Sequence, residues 1–130
     1  MTTKSRKMLL KAQQGELDAV ILYKRLSDAI KDPEYKEIFK KVAADEGRHA
    51  SILKEYTNQV LKPKSLKAHM VLFIYRVCGA KVTMRLLAKG EMDSIPGYLK
   101  LVQEFPNISS IIEDEARHAK IAESYLQKIS

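Results

Sequence analysis

The chain has 130 residues, of which 45% are hydrophobic and 30% charged, and its formal net charge is +7. This length and composition predict one globular domain over residues 1–130, with enough apolar side chains to bury a core. The single cysteine, Cys78, excludes an internal disulfide and any metal site built from several cysteines, and it favours a reducing, cytoplasmic location. The most apolar run, residues 68–80, is too short to cross a bilayer, so no transmembrane segment is predicted.

The first two predicted helices are separated by a clear helix-start signal. Scarce glycine and proline favour long helices, and the first runs from about residue 3 to residue 31. Asp32 and Pro33 then supply an N-cap and a first-turn proline for the second helix. Its apolar positions recur with helical spacing as far as Val60, and Lys62-Pro63 ends it.

The helical pattern returns over about residues 64–105, either as one helix or as two pieces that meet at Cys78-Gly79. Pro96 predicts a kink in this stretch, because proline removes the backbone hydrogen bond to the preceding turn. After the turn-forming residues 105–107, a last helix runs from about residue 108 to residue 129.

The two halves of the chain repeat one another. Gly15-Glu16 in the first half corresponds to Gly90-Glu91 in the second, and residues 45–50 match residues 114–119 at five of six positions. One helical hairpin therefore occurs twice, which predicts an all-α, antiparallel four-helix bundle made of two repeated hairpins. The equivalent placement of the two glycines predicts that helices approach closely there.

Acidic and histidine side chains occupy apolar positions of the predicted helices. Within each Glu-x-x-His pair the two residues are three apart, so both lie on one helix face. A carboxylate buried alone costs several kcal/mol or takes up a proton, whereas divalent cations remove the penalty for a whole group of carboxylates. The pattern predicts a two-metal site, both binding and catalytic, whose ligands are Glu16, Glu46, His49, Glu91, Glu115 and His118.

Simpler interpretations exist for some of these residues. A single Glu-x-x-His pair is more often an exposed pair on a helix surface, and only the duplicated set favours metal. Tyr23 and Tyr98, each seven residues after a ligand Glu, either hydrogen-bond the carboxylates or fill the core. A metal-free helical bundle that acts as an interaction module is the remaining alternative.

The motifs resemble those of a known group. The chain is similar to the ferritin-like di-iron carboxylate superfamily and, within it, to the rubrerythrin-like group, which includes ferritin-like domains found ahead of vacuolar-iron-transporter-type membrane segments. The resemblance covers essentially the whole chain. It is carried by Gly-Glu16, Asp45-Glu46-x-Arg48-His49, Gly-Glu91 and Asp114-Glu115-x-Arg117-His118.

The resemblance implies a ferritin-like fold and two iron ions per chain, with manganese or zinc as substitutes. It implies that Glu16 and Glu91 are terminal ligands and that Glu46 and Glu115 bridge the two metals. It also implies that His49 and His118 each bind one metal. It also implies supporting residues around the ligands. These are Asp45 and Asp114, which would orient a histidine of the opposite helix, and Arg48 and Arg117, which would hold the aspartates.

The sequence departs from the rubrerythrin pattern in two respects. Ser94 stands where rubrerythrins typically carry a further Glu, which makes a redox-linked exchange of ligands doubtful. The iron–sulfur module typical of rubrerythrins is missing from this sequence, so electrons would come from another protein. The chain is expected to be either a stand-alone domain or a piece of a transporter.

Redox chemistry on peroxide or O2, of peroxidase or ferroxidase type, is the function that the resemblance favours. The alternative is a non-catalytic domain that binds, senses or delivers iron together with a membrane transporter. Turnover separates the two, because an enzyme consumes many equivalents of oxidant and a binding protein only a stoichiometric amount.

Positive charge and apolar residues outside the site suggest partners. Lys81, Arg85 and Lys89 are spaced by four and line one helix face, which is either simply solvated or a peripheral surface for an acidic partner or an anionic membrane. No nucleic-acid motif accompanies them. Residues 68–80 are apolar nearly all round, which predicts a homodimer that buries Leu72 and Phe73, or else burial within the bundle.

Overall fold

The computed structural model describes all 130 residues and contains five helices and no strand. The prediction of an all-α fold is confirmed. The helices, in chain order, are α1 (Thr3–Ala29), α2 (Pro33–Thr57), α3 (Leu66–Cys78), α4 (Ala80–Leu101) and α5 (Ile108–Ile129).

The chain divides into two compact units, Met1–Leu72 and Phe73–Ser130. In the first unit α1 packs against α2, and in the second unit α4 packs against α5. We call these pairs the first hairpin and the second hairpin. The two hairpins that the sequence repeat predicts are therefore present, while the interpretation of residues 1–130 as one domain stays a prediction.

The first hairpin has well-defined helix starts. Thr2 and Ser5 form a capping box, in which each side chain accepts a hydrogen bond from the backbone N–H of the other at 3.0 Å. At the start of α2 the Asp32 carboxylate accepts bonds from the N–H groups of Glu34 and Tyr35, with Pro33 in the first turn. The Asp32 cap and Pro33 confirm the predicted start of α2.

The end of α2 differs from the prediction. The helix stops at Thr57, because Asn58 adopts a left-handed conformation with φ 53°. Val60, expected on the apolar face, lies beyond the helix and is exposed, so that assignment is wrong. The buried apolar residues of the first hairpin include Leu9, Leu22, Leu26, Phe39, Val42 and Leu53.

α3 and α4 are separate helices that meet at Gly79, which confirms the two-piece alternative. Gly79 has φ +90°, a conformation that ends α3 and is costly for any residue with a Cβ. α4 continues through Pro96 and ends at Leu101, four residues before the predicted boundary. None of the five helices combines the length and apolarity needed to span a bilayer.

Gly15 and Gly90 do not mark a close approach of helices. A Cβ built at either position would meet nothing within 4 Å, so the predicted close contact is wrong. Their equivalent placement therefore follows from the sequence repeat and not from a packing requirement.

Candidate metal centre

The first hairpin carries three of the predicted ligands on its two facing helices. Glu16 lies in the middle of α1, and Glu46 and His49 lie one turn apart on α2. All three are buried, in agreement with their place in the apolar stripes of the sequence. We call Glu16, Glu46 and His49 the first cluster.

The imidazole of the first cluster faces two carboxylates with the same nitrogen. His49 Nδ1 lies 3.4 Å from Glu16 Oε2 and 3.3 Å from Glu46 Oε1. One ring nitrogen carries at most one proton, so it cannot donate fully to both carboxylates. A cation placed between the nitrogen and the two oxygens would satisfy all three atoms.

The second hairpin repeats this arrangement. Glu91 lies on α4, and Glu115 and His118 lie one turn apart on α5. All three are buried, and His118 Nδ1 lies 3.7 Å from Glu91 Oε2 and 3.8 Å from Glu115 Oε1. We call these three residues the second cluster.

The donor atoms of each cluster fit a divalent metal. Within each cluster the three ligand atoms lie within 4.8 Å of one another. Two ligands that each lie about 2.1 Å from one ion at a right angle are about 3.0 Å apart, close to the spacing in the first cluster. Carboxylate oxygen and imidazole nitrogen without thiolate suit iron or manganese. Each cluster therefore has the chemistry and spacing of half of a metal centre.

The predicted aspartate–arginine pairs form on the outer side of the ligand helices. Arg48 Nη2 donates to Asp45 Oδ1 at 3.2 Å, and Arg117 Nη2 donates to Asp114 Oδ1 at 3.1 Å. The arginines are about half exposed, whereas the aspartate side chains are mostly covered. Each arginine therefore contacts the aspartate that it was expected to hold.

The two tyrosines of the repeat are buried core residues. Tyr23 stacks on Phe39 with ring centroids 5.9 Å apart and ring planes 7° apart. Tyr98 occupies the equivalent position of α4 and is likewise buried. The ring of Tyr23 is therefore part of the core, and a hydrogen bond from its hydroxyl to a carboxylate stays a prediction.

Two polar contacts near the clusters were not predicted from the sequence. The Ser94 hydroxyl lies 3.0 Å from Glu115 Oε2, so it contacts a predicted ligand. Gln13, one turn before Glu16, is buried and accepts a hydrogen bond of 2.6 Å from Thr57. Both lie three residues from a ligand Glu on the same helix, and that spacing was the available signal.

Comparison with known proteins identifies the class. The Rubrerythrin family model matches residues 7–126, which is nearly the whole chain. The chain therefore belongs to the Rubrerythrin family, and its fold is that of a ferritin-like di-iron carboxylate domain. The resemblance inferred from the motifs is confirmed. The family and the buried Glu and His clusters together fit a di-iron site. No curated protein and no solved structure matches the chain.

Proposed function

We propose that the two clusters serve one di-iron centre per chain and that the protein reduces peroxide or O2 with electrons from an external donor protein. The observation that carries the proposal is the repeated geometry of the clusters. In each, one buried imidazole nitrogen faces two buried carboxylates. Membership of the Rubrerythrin family supports iron as the metal.

The residues of the chain have distinct tasks in this proposal. The six ligands, Glu16, Glu46, His49, Glu91, Glu115 and His118, would hold the metal, and their burial keeps bulk water from it. Asp45 and Asp114, each bound by an arginine, would orient the histidines. Bound iron would supply the electron transfer that no side chain in the cluster provides. Reduction of one peroxide to two waters consumes two electrons and two protons.

The test combines metal content with turnover. The protein is reconstituted anaerobically with Fe(II), its metal content is measured, and peroxide is added with a reductase and an electron donor. We expect two iron ions per chain and consumption of many equivalents of peroxide. One stoichiometric oxidation followed by no further reaction would contradict the enzymatic proposal and favour the iron-binding or iron-delivery alternative.

The three histidines of the chain provide a matched control. His49→Ala removes a buried ligand, whereas His69→Ala removes an exposed histidine that contacts Arg25. We expect the first variant to lose iron and turnover and the second to keep both. Equal iron content in the two variants would contradict the assignment of His49 as a ligand.

Assembly and location are not settled by the site. Leu72 is already buried within the chain and Phe73 is exposed, so only Phe73 of the two residues is available to the homodimer expected from the sequence, and that homodimer stays a prediction. Light scattering at micromolar concentration distinguishes a dimer from a monomer. The cytoplasmic location stays a prediction.

A further inference from the structure

α3 carries a continuous stripe of exposed apolar side chains. Leu66, Met70, Phe73 and Val77 are 70%, 57%, 65% and 65% exposed. At 100° per residue they fall within an arc of about 60°. The buried residues of the same helix, Ala68, Val71 and Leu72, lie on the opposite side. One face of α3 therefore packs against the protein, and the other presents a narrow apolar stripe to its surroundings.

Basic side chains lie on both sides of this stripe. Lys67 and Arg76 are exposed and lie about 90° to either side of the centre of the stripe on the helical wheel. Long basic side chains in such positions extend their charged ends away from an apolar surface while their stems remain on it. This is the arrangement of helices that lie in the interface of a lipid bilayer.

The surrounding segment contains all of the excess positive charge of the chain. Residues 56–90 hold seven lysines and arginines and no acidic residue, and the net charge of the whole protein is also +7. Lys89, at its end, pairs with Asp93, while Lys62, Lys64, Lys81 and Arg85 are exposed. A segment of this charge attracts an anionic partner and repels the same segment of a second copy.

We propose that the exposed face of α3 docks on an anionic lipid surface, with the stripe inserted among the acyl chains and the flanking bases at the headgroup phosphates. The four side chains expose on the order of 500 Å², below the ~800 Å² per partner of a standard protein interface. Stacking α3 on a second α3 would also bring two acid-free basic segments together. Lipid therefore matches both the area and the charge of this face, and the docking does not depend on the metal.

A single tryptophan reports insertion directly, since the chain contains none. Phe73→Trp places it in the stripe, and Leu99→Trp places it at an exposed apolar position of α4 outside the acid-free segment. With vesicles of phosphatidylglycerol and phosphatidylcholine, we expect a blue-shifted emission for the first variant and none for the second. With phosphatidylcholine alone we expect no shift in either.

Co-sedimentation with the same vesicles measures how much the basic and the apolar side chains each contribute to binding. Arg76→Glu should weaken binding by about 30-fold and Phe73→Ser by about tenfold. Lys120→Glu, the same charge reversal at an exposed position of α5, should change it by less than about threefold, and added salt should weaken binding throughout. Circular dichroism checks that each variant is folded.

Three results would overturn the proposal. Failure of the unmodified protein to sediment with anionic vesicles excludes lipid docking. Salt-sensitive binding without a shift at position 73 favours an acidic protein as the natural partner. A shift that depends on protein concentration and not on lipid means that a second copy covers Phe73.

Discussion

The two hairpins carry the same predicted ligands but differ in some of the polar residues around them. Both place a histidine Nδ1 opposite two buried carboxylates, at 3.3–3.4 Å in the first hairpin and 3.7–3.8 Å in the second. Both also pair an aspartate with an arginine one turn away. The arrangement of donor atoms is thus common to the two halves, as the sequence repeat predicts.

Other polar residues near the predicted ligands are not common to both halves. The first hairpin has the buried Gln13–Thr57 hydrogen bond, and the equivalent positions of the second hairpin are Ala88 and Leu126. Conversely, the second hairpin has Ser94 against Glu115, and the equivalent residue of the first is Ala19. A polar contact in one half is replaced by apolar side chains in the other, whereas the buried Glu and His residues are the same in both.

The largest expected effect tests whether the clusters are equivalent in function. His49→Ala and His118→Ala each remove one imidazole and leave two buried carboxylates. We expect each to weaken iron binding by at least ~100-fold, since losing a direct ligand costs more than losing a residue that orients one. Titration with Fe(II) measures the iron affinity of both variants. A large loss in one variant only would show that a single hairpin holds the metal.

The next effect concerns the support of the first hairpin. Thr57→Val keeps the shape of the side chain but removes the hydroxyl that donates to Gln13 Oε1 at 2.6 Å. An acceptor left buried without its donor costs about 1–3 kcal/mol, so the free energy of unfolding should fall by that amount. Urea denaturation of the metal-free protein measures it.

The second hairpin suggests the control. The double variant Gln13→Ala with Thr57→Leu copies the residues found at the equivalent positions, Ala88 and Leu126. Replacing both partners of a hydrogen bond by apolar groups is nearly neutral, so the double variant should be more stable than Thr57→Val alone. If the double variant is less stable than Thr57→Val, the side chains of Gln13 and Thr57 stabilise the fold through more than the hydrogen bond between them.

Gly15 and Gly90 occupy equivalent positions of the repeat, so substitution by alanine should have the same effect on stability at both. Gly15→Ala and Gly90→Ala add a methyl group to open space within a helix, and each should raise the free energy of unfolding by about 0.5–1 kcal/mol. Gly79→Ala should lower it, because φ is +90° there. Thermal unfolding shows which of the three variants are more stable than the unmodified protein and which are less stable. Opposite responses at positions 15 and 90 would show that the two hairpins pack these sites differently.

The sequence predicted those features that depend on local signals or on the repeat. Asp32-Pro33 marked the start of α2, and the duplicated Glu-x-x-His motif indicated the buried Glu and His clusters, because both are short-range patterns. The end of α2 was missed, since the left-handed conformation of Asn58 breaks a periodic pattern that continues to Val60. Side-chain partners such as Gln13 and Thr57 were also missed, because 44 residues separate them in the chain.

The smallest expected change in iron affinity concerns Ser94, which has no polar counterpart in the first hairpin. Its hydroxyl lies 2.7 Å from the backbone oxygen of Glu91 and 3.0 Å from Glu115 Oε2, but it has one proton to donate. A bond to a charged carboxylate is the stronger of the two, so the hydroxyl should help to hold Glu115. Ser94→Ala should therefore weaken iron binding modestly, by about three- to tenfold.

Ser110→Ala is the matched control, because that hydroxyl also bonds the backbone oxygen three residues earlier, at 3.1 Å from Asn107 O. It should leave iron affinity unchanged, and both variants should unfold at similar urea concentrations. Ser94→Ala gives the second hairpin the residue that the first hairpin has at the equivalent position, Ala19. Unchanged iron affinity would therefore mean that the second cluster does not need the Ser94 hydroxyl. A loss confined to Ser94→Ala would instead show that Glu115 depends on a hydroxyl which Glu46 does without.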